Sequence, residues 1–134
     1  MNRMWLIIAV ALALCAPASA QQRGAIGSVP LLTARTTTGS DELMSPRCDL
    51  RTFHATGTTS AGAGAATILI EGSDIAAPVL TTNVDWVTLG TISLTLGTTK
   101  TGDGFASQAP WRWVRARVSA ISGTNASVDA YMGC

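Results

Sequence analysis

Residues 111–121 alternate between small apolar side chains and larger polar or aromatic ones. The small apolar residues stand at even positions: Val114, Ala116, Val118 and Ala120. The larger aromatic and polar residues stand at odd positions: Trp113, Arg115, Arg117 and Ser119. We call each of these two sets a parity of the strand. Successive side chains of a β-strand point to opposite faces, so a period of two predicts a strand with one buried face. Pro110 has no N–H for a ladder hydrogen bond and marks where such a strand can begin. A helix would instead scatter Arg112, Arg115 and Arg117 around its circumference.

The polar parity of this strand carries an indole and two guanidiniums, which are costly to bury without partners. A guanidinium over an indole makes a favourable cation–π pair, and tryptophan, tyrosine and arginine are enriched at interface hot spots. Three interpretations stay open: an outer face in water, a contact with another subunit or particle, and a sugar-stacking platform. We predict an interaction face made of Trp113, Arg115, Arg117 and, on the following strand, Tyr131.

Further stretches with strand character follow one another at short spacing along the chain. Strands are predicted over residues 28–38, 48–58, 66–71, 85–96, 111–121 and 126–132. The small-residue run 60–65 is predicted as a turn, and residues 97–109 as the longest polar loop. Because no segment has the period of an amphipathic helix, the pattern predicts an all-β fold. We expect an antiparallel β-sandwich, jelly-roll-like or Greek key, preceded by an apolar N-terminal leader.

The first twenty residues have the layout of an export signal. Arg3 gives a positive start, residues 4–13 are apolar, and Ala18 and Ala20 form a small-x-small cleavage site. Cleavage is expected before Gln21 and leaves no stable membrane span. The alternative is an uncleaved apolar N-terminal helix in a protein that is assembled inside the cell. The predicted organisation is a signal peptide or apolar helix over 1–20, an arm with an edge strand over 21–47, and a sandwich core over 48–134.

Charged residues are few and balanced. The chain has nine Lys and Arg residues and eight Asp and Glu residues, and one of the basic residues, Arg3, belongs to the leader. A neutral chain with no basic block matches the phosphate backbone poorly, so nucleic acid is not expected as a partner.

Two cysteines, Cys48 and Cys134, remain once the leader and its Cys15 are set aside. An even number of cysteines in an exported chain indicates a disulfide, so we predict a bond between them. The alternatives are two free thiols in a cytoplasmic assembly, or a Cys134 that is bonded between subunits.

The titratable residues do not form a pattern that predicts catalysis. The single histidine, His54, falls in a predicted strand, and no motif places a nucleophile on a strained turn. Asp74, Asp85 and Asp103 fall in separate predicted loops, and their spacing does not match a calcium-binding loop. Candidate zinc ligands are too few. We therefore predict no enzyme, no catalytic residue, no metal site and no cofactor.

From about Leu31 onward the chain resembles small β-sandwich proteins found among the structural genes of tailed phages and prophages. The matching stretches are RTFHATGTT at 51–59, ATILIEG at 66–72, WVTLGTI at 86–92, GF at 104–105, APWRWVRARVSAISGT at 109–124 and ASV at 126–128. The stretch at 109–124 is the most specific of these. The resemblance implies a non-enzymatic virion component: a head-decoration, tail or fibre-associated module.

Several partners and locations follow from this resemblance and from the leader. A virion component is expected to self-associate or to dock to other virion proteins through its sandwich faces, and the arm over 21–47 can add a strand to a neighbour. If the leader is cleaved, the periplasm or the extracellular space is expected instead of the virion. The alternative function is a secreted or periplasmic carbohydrate-binding module, which would stack cell-surface glycans on Trp113 and Tyr131.

Overall fold

Eight strands make up the regular structure of the part of the chain that the structure describes. The computed structural model describes residues 27–41, 48, 50–108 and 110–134. The predicted leader and its cleavage residues Ala18, Ala20 and Gln21 lie outside the described residues, as does much of the predicted arm. The strands are β1 (Val29–Arg35), β2 (Gly39–Ser40), β3 (Arg51–Thr58), β4 (Ala61–Ser73), β5 (Val87–Leu96), β6 (Thr101–Ser107), β7 (Trp113–Thr124) and β8 (Ser127–Gly133).

The strands form two four-stranded antiparallel sheets. One sheet has the order β1-β8-β3-β6 and is called the β1 sheet; the other has the order β2-β7-β4-β5 and is called the β2 sheet. Every strand pair is antiparallel. The described residues include no helix that could cross a membrane. The prediction of an all-β antiparallel sandwich is therefore confirmed.

The core lies between the two sheets and is built from alternate residues of each strand. Val114, Ala116 and Val118 of β7 are buried in it, as the period of two predicts, whereas Ala120 is exposed. The opposing β1 sheet contributes buried residues such as Phe53 to the same cluster. Each strand therefore turns one parity toward the core and leaves the other on an outer face.

Residues 97–109 were predicted to be a loop, and that prediction is wrong because they contain β6. Phe105 stands opposite Phe53 in the ladder, and their ring centroids lie 5.3 Å apart. Gly104 allows this pairing, since a β-carbon there would collide with the carbonyl oxygen of Phe53. The glycines of this segment thus permit close strand approach, although in the sequence they resemble turn residues.

The small-residue run 60–65 was predicted to be a turn, and most of it instead begins β4. The turn is confined to Thr59 and Ser60, and the strand starts at Ala61. A β-carbon on Gly64 would collide with the carbonyl oxygen of Ser122 on β7. Small side chains are therefore needed here because two strands pass close to each other.

Cys48 and Cys134 form the predicted disulfide, with Cα atoms 5.9 Å apart. The bond joins the chain just before β3 to the end of β8, where Thr52 is the ladder partner of Gly133. Residues 74–86 and 110–112 lie at the same end of the sandwich, because Trp111 accepts a hydrogen bond from Arg51 and packs against Gly72. We call this the disulfide end; the opposite end carries the short turns at 36–38, 59–60, 97–100 and 125–126.

Candidate interaction surface

Arg115 lies on the outer face of the β2 sheet, yet none of its side chain is exposed. Its ladder partner on β4 is Glu71, which is 3% exposed. The Arg115 Nε donates to Glu71 Oε2 at 2.7 Å. Two residues further along β7, on the same face, Arg117 donates from Nη2 to Glu71 Oε1 at 2.8 Å. A single carboxylate therefore bridges two guanidiniums, and we call these three residues the charged triad.

The charged triad stays ionised because each member is paired. Burial by itself would raise the pKa of Glu71, but the hydrogen bonds and positive charges of Arg117 and Arg115 outweigh burial and hold that pKa below its usual value. Burial lowers the pKa of Arg115, and the carboxylate of Glu71 offsets part of that effect. The hydrogen bond to Glu71 raises the pKa of Arg117. All three groups are therefore charged at neutral pH.

Residues 74–86 fold over Arg115 and exclude water from it; we call them the covering loop. The ring of Trp86 lies 4.3 Å from the guanidinium carbon of Arg115, which is close enough for a cation–π contact. Arg115 also donates from Nη1 to the carbonyl oxygen of Leu80 and from Nη2 to Asn83 Oδ1, the latter at 3.1 Å. One buried guanidinium thus binds the covering loop through its planar face, which meets the Trp86 ring, and through two of its nitrogens.

The covering loop has no regular secondary structure, and hydrogen bonds within it fix its shape. The indole N–H of Trp86 donates to the carbonyl oxygen of Val79 at 2.9 Å, and Asp85 Oδ2 accepts from the backbone N–H of Val79 at 3.1 Å. Where the loop begins, Asp74 Oδ1 accepts from the backbone N–H of Arg112 at 3.0 Å. The loop is therefore held at its start, its middle and its end.

The outer side of this loop carries several exposed apolar side chains among polar ones such as Asp74, Thr81 and Thr82. Ile75, Val79, Val84 and, at the start of β5, Val87 are exposed, and Val84 reaches 90%. We call these four residues the loop patch. Three of them border a depression of about 410 Å³ together with the half-buried Trp111. A single exposed apolar side chain needs no explanation, whereas a group of them is a feature that protein contact surfaces share.

The structure divides the interaction face that the sequence predicts. Trp113 and Arg117 are half-buried on the outer face of the β2 sheet, and Arg115 is covered completely by the loop. Tyr131 lies in the β1 sheet, so it does not share a face with Trp113. The ring of Trp113 has the guanidinium of Arg112 at 6.0 Å rather than that of Arg115. A buried Arg115 contributes to contacts only by holding the covering loop.

Sequence reasoning missed Glu71 and the loop patch. Glu71 follows the apolar run 68–70, and a buried arginine requires a carboxylate of this kind, which was the available signal. The loop patch has no periodicity, so nothing in the sequence separates it from core residues.

Tyr131 occupies the centre of the other outer face. It is half-buried, and its ladder neighbours are His54 on β3 and Pro30 on β1. Beyond His54 the edge strand β6 presents Gly104, which has no side chain. His54 itself is exposed, so this face is open at Tyr131 whereas the other outer face is covered at Arg115.

The aspartates considered as metal ligands have other roles here. Asp74 and Asp85 are engaged by backbone N–H groups of 112 and 79, and Asp103 lies on β6 and accepts from its neighbour Gly104. Within the part of the chain that the structure describes, no three His, Cys, Asp or Glu residues are grouped as metal ligands.

No family model matches this chain, and neither a curated protein nor a solved structure matches it. The function is therefore inferred from the surfaces of the chain itself.

Proposed function

We propose that this protein is a non-enzymatic structural protein that self-associates or docks to other components of a phage-like particle. One observation carries the proposal: the loop patch is apolar, exposed and held in one shape. Removing exposed apolar surface from water is favourable by about 25 cal/mol for each Å² that a partner buries. A patch of this kind is therefore better suited to protein contact than to catalysis.

The charged triad supports this role because it fixes the loop that carries the patch. Because Arg115 binds the covering loop through Leu80, Asn83 and the ring of Trp86, the patch does not have to be ordered when a partner arrives. Ordering a side chain on binding costs roughly 0.5–1.5 kcal/mol, and a fixed loop avoids much of that cost. The buried charges thus serve presentation of the patch.

The strand pairing is compatible with a particle component. β1 pairs with β8, β2 with β7, β3 with β6 and β4 with β5, which is the pairing of one long antiparallel hairpin. The hairpin is rolled up so that β3 also meets β8 and β4 also meets β7. We infer a jelly roll, an architecture used by viral capsid domains and by lectins. Fold alone does not determine function, so this supports both candidate roles.

A substitution on the patch tests the proposal. Val84→Asp places a charge at the most exposed apolar position, and we expect it to leave stability unchanged to within about 0.5 kcal/mol. Thr99→Asp, on an exposed turn at the opposite end, is the matched control. Phage-like particles from cells that carry the gene are banded on a density gradient, and the chain is quantified in each fraction.

We expect the wild type and Thr99→Asp to sediment with the particles and Val84→Asp to stay at the top of the gradient. A wild-type chain that is absent from every particle fraction contradicts the particle role. Equal recovery of all three proteins with the particles contradicts the role of the patch.

A second candidate function is a secreted carbohydrate-binding module. It is favoured by the half-exposed ring of Tyr131 on an outer face that is open there, beside the exposed His54 and the flat glycine positions of β6. Tyr131→Ala should then abolish binding on a glycan array, whereas Trp113→Ala should not, because Trp113 lies in the other sheet. Absence of binding to any cell-envelope glycan would eliminate this candidate.

A further inference from the structure

Both sheets have free edges, and the four edge strands differ in how they are protected. Among the described strands, β1 and β6 flank the β1 sheet, and β2 and β5 flank the β2 sheet. An edge strand offers unpaired N–H and C=O groups to any other strand, and natural proteins block this with proline, bulges, short strands or inward-pointing charges.

Three of the four edges carry a proline, a core-facing charge or a very short strand. β1 contains Pro30 and two register shifts against β8, and β2 is two residues long. β6 carries Asp103 on the core-facing parity, opposite the buried Ala55, although Asp103 itself is exposed. Each of these features disfavours the addition of another strand.

The β5 edge carries one of them, a register shift against β4 between Thr88 and Gly90, and none in the segment after it. It is ten residues long, Val87–Leu96, and contains no charged residue and no proline. From Gly90 to Leu96 it pairs with β4 without a register shift, so this part is regular. Its outward side chains Thr91, Ser93 and Thr95 are exposed. A long, uncharged, regular edge is the kind that accepts a further strand.

We propose that β5 pairs antiparallel with β5 of a second copy of this chain, so that two β2 sheets join into one eight-stranded sheet. This deepens the proposed self-association and rests on it. A two-fold axis makes each residue meet a residue of the same strand, and a charge on the axis would face its own copy. A strand without charges is free of that penalty, which favours a second copy as the occupant over a charged peptide.

The regular segment is self-complementary about its central residue, Ser93. A two-fold axis there places Thr91 opposite Thr95 on the outer face and Ile92 opposite Leu94 on the core side. Cross-strand threonine pairs of this kind stabilise a sheet. The start of β5, Val87, belongs to the loop patch, so the two surfaces are continuous.

Asp103 opposes this dimer to a limited extent. β6 runs beside β5 across the opening of the sandwich, where the Thr101 hydroxyl donates to the carbonyl oxygen of Thr95 at 2.9 Å. Each Asp103 would therefore approach its own copy near the axis. The carboxylate is exposed, so water and salt weaken the repulsion, and Asp103→Asn should strengthen the dimer.

The dimer dissociation constant measured by sedimentation equilibrium tests the inference. Ser93→Lys puts a like charge at the axis and should raise the Kd by roughly fivefold or more. Thr52→Lys adds the same charge at an exposed outward position of the central strand β3 and should leave the Kd unchanged. Asp103→Asn should lower the Kd.

A wild-type chain that stays monomeric up to millimolar concentration overturns the inference, and so do equal Kd values for Ser93→Lys and Thr52→Lys. These outcomes are separable from failure of the proposed function. A monomer that still sediments with particles through Val84 keeps the proposed function and removes the dimer. A chain that forms a Ser93-dependent dimer but is absent from particles keeps the dimer and removes the proposed function.

Discussion

The indole of Trp86 lies over the guanidinium of Arg115, with 4.3 Å between the guanidinium carbon and the ring centroid. The same indole donates its N–H to the carbonyl oxygen of Val79. Trp86 therefore links the buried charge below it to the exposed loop patch around it. Four predictions follow from this arrangement and from the disulfide at the same end of the sandwich.

Trp86→Ala should release the covering loop from the sheet. Removing a buried tryptophan side chain costs about 3–5 kcal/mol of unfolding free energy, and Trp86 is 7% exposed. Trp86→Phe keeps a ring over Arg115 but loses the hydrogen bond to Val79, so we expect a loss of about 1 kcal/mol. Urea unfolding gives both values, and hydrogen exchange over residues 74–86 should accelerate more in Trp86→Ala. Unchanged exchange there contradicts the proposed anchoring.

Glu71→Gln should be strongly destabilising, because it leaves Arg115 buried without a carboxylate. Breaking a buried ion pair from one side costs about 3–5 kcal/mol. The control is Lys100→Gln, which removes one partner of the exposed Lys100–Asp129 pair at 3.3 Å and should cost at most about 1 kcal/mol. Chemical denaturation of both variants measures the difference. Similar losses for the two substitutions would show that the charged triad contributes no more to the free energy of unfolding than an exposed ion pair.

Acid should destabilise the wild type through Glu71. The folded-state pKa of Glu71 lies below its unfolded value of 4.5. Stability from this group is therefore fully present above that value and is lost as the pH falls through the folded pKa. The free energy of unfolding, measured between pH 7 and pH 2, should fall below about pH 4.5. In Glu71→Gln the decline should be smaller; an identical decline assigns the acid sensitivity to other carboxylates.

Reduction of the Cys48–Cys134 bond should destabilise the fold without changing its architecture. The bond spans a sequence separation of 86 residues, for which loop-closure entropy of the unfolded chain gives about 4 kcal/mol. Unfolding of oxidised and reduced protein, with the double variant Cys48→Ser/Cys134→Ser as a second reduced reference, measures this. A loss seen on reduction but absent from the double variant would point to an effect of the reductant.

The sequence predicted the parts of this protein that depend on local order. The period of two over 111–121 identified β7 and its buried residues Val114, Ala116 and Val118, and cysteine counting identified the disulfide. It did not predict β6, because a glycine-rich segment forms a strand only when a partner such as β3 supplies its ladder. Glycine has the same local preferences in a turn and in a close strand pair.

The interaction face shows the same division. Trp113, Arg115 and Arg117 are placed on one parity by the sequence alone, since that follows from strand geometry. Whether Arg115 meets water or protein depends on Glu71, which is 44 residues away in the chain, and on residues 74–86. Tyr131 is separated from Trp113 because consecutive strands β7 and β8 enter different sheets.

The sequence by itself thus determined that this chain forms β-strands, which parity of β7 faces inward, and which cysteines pair. Only the tertiary structure decided that Arg115 is buried, that the loop patch is exposed, and that β5 is an edge strand without charge or proline. The physical reason is range. Alternation acts between neighbouring residues, whereas burial and strand order follow from contacts between segments that are distant in the chain.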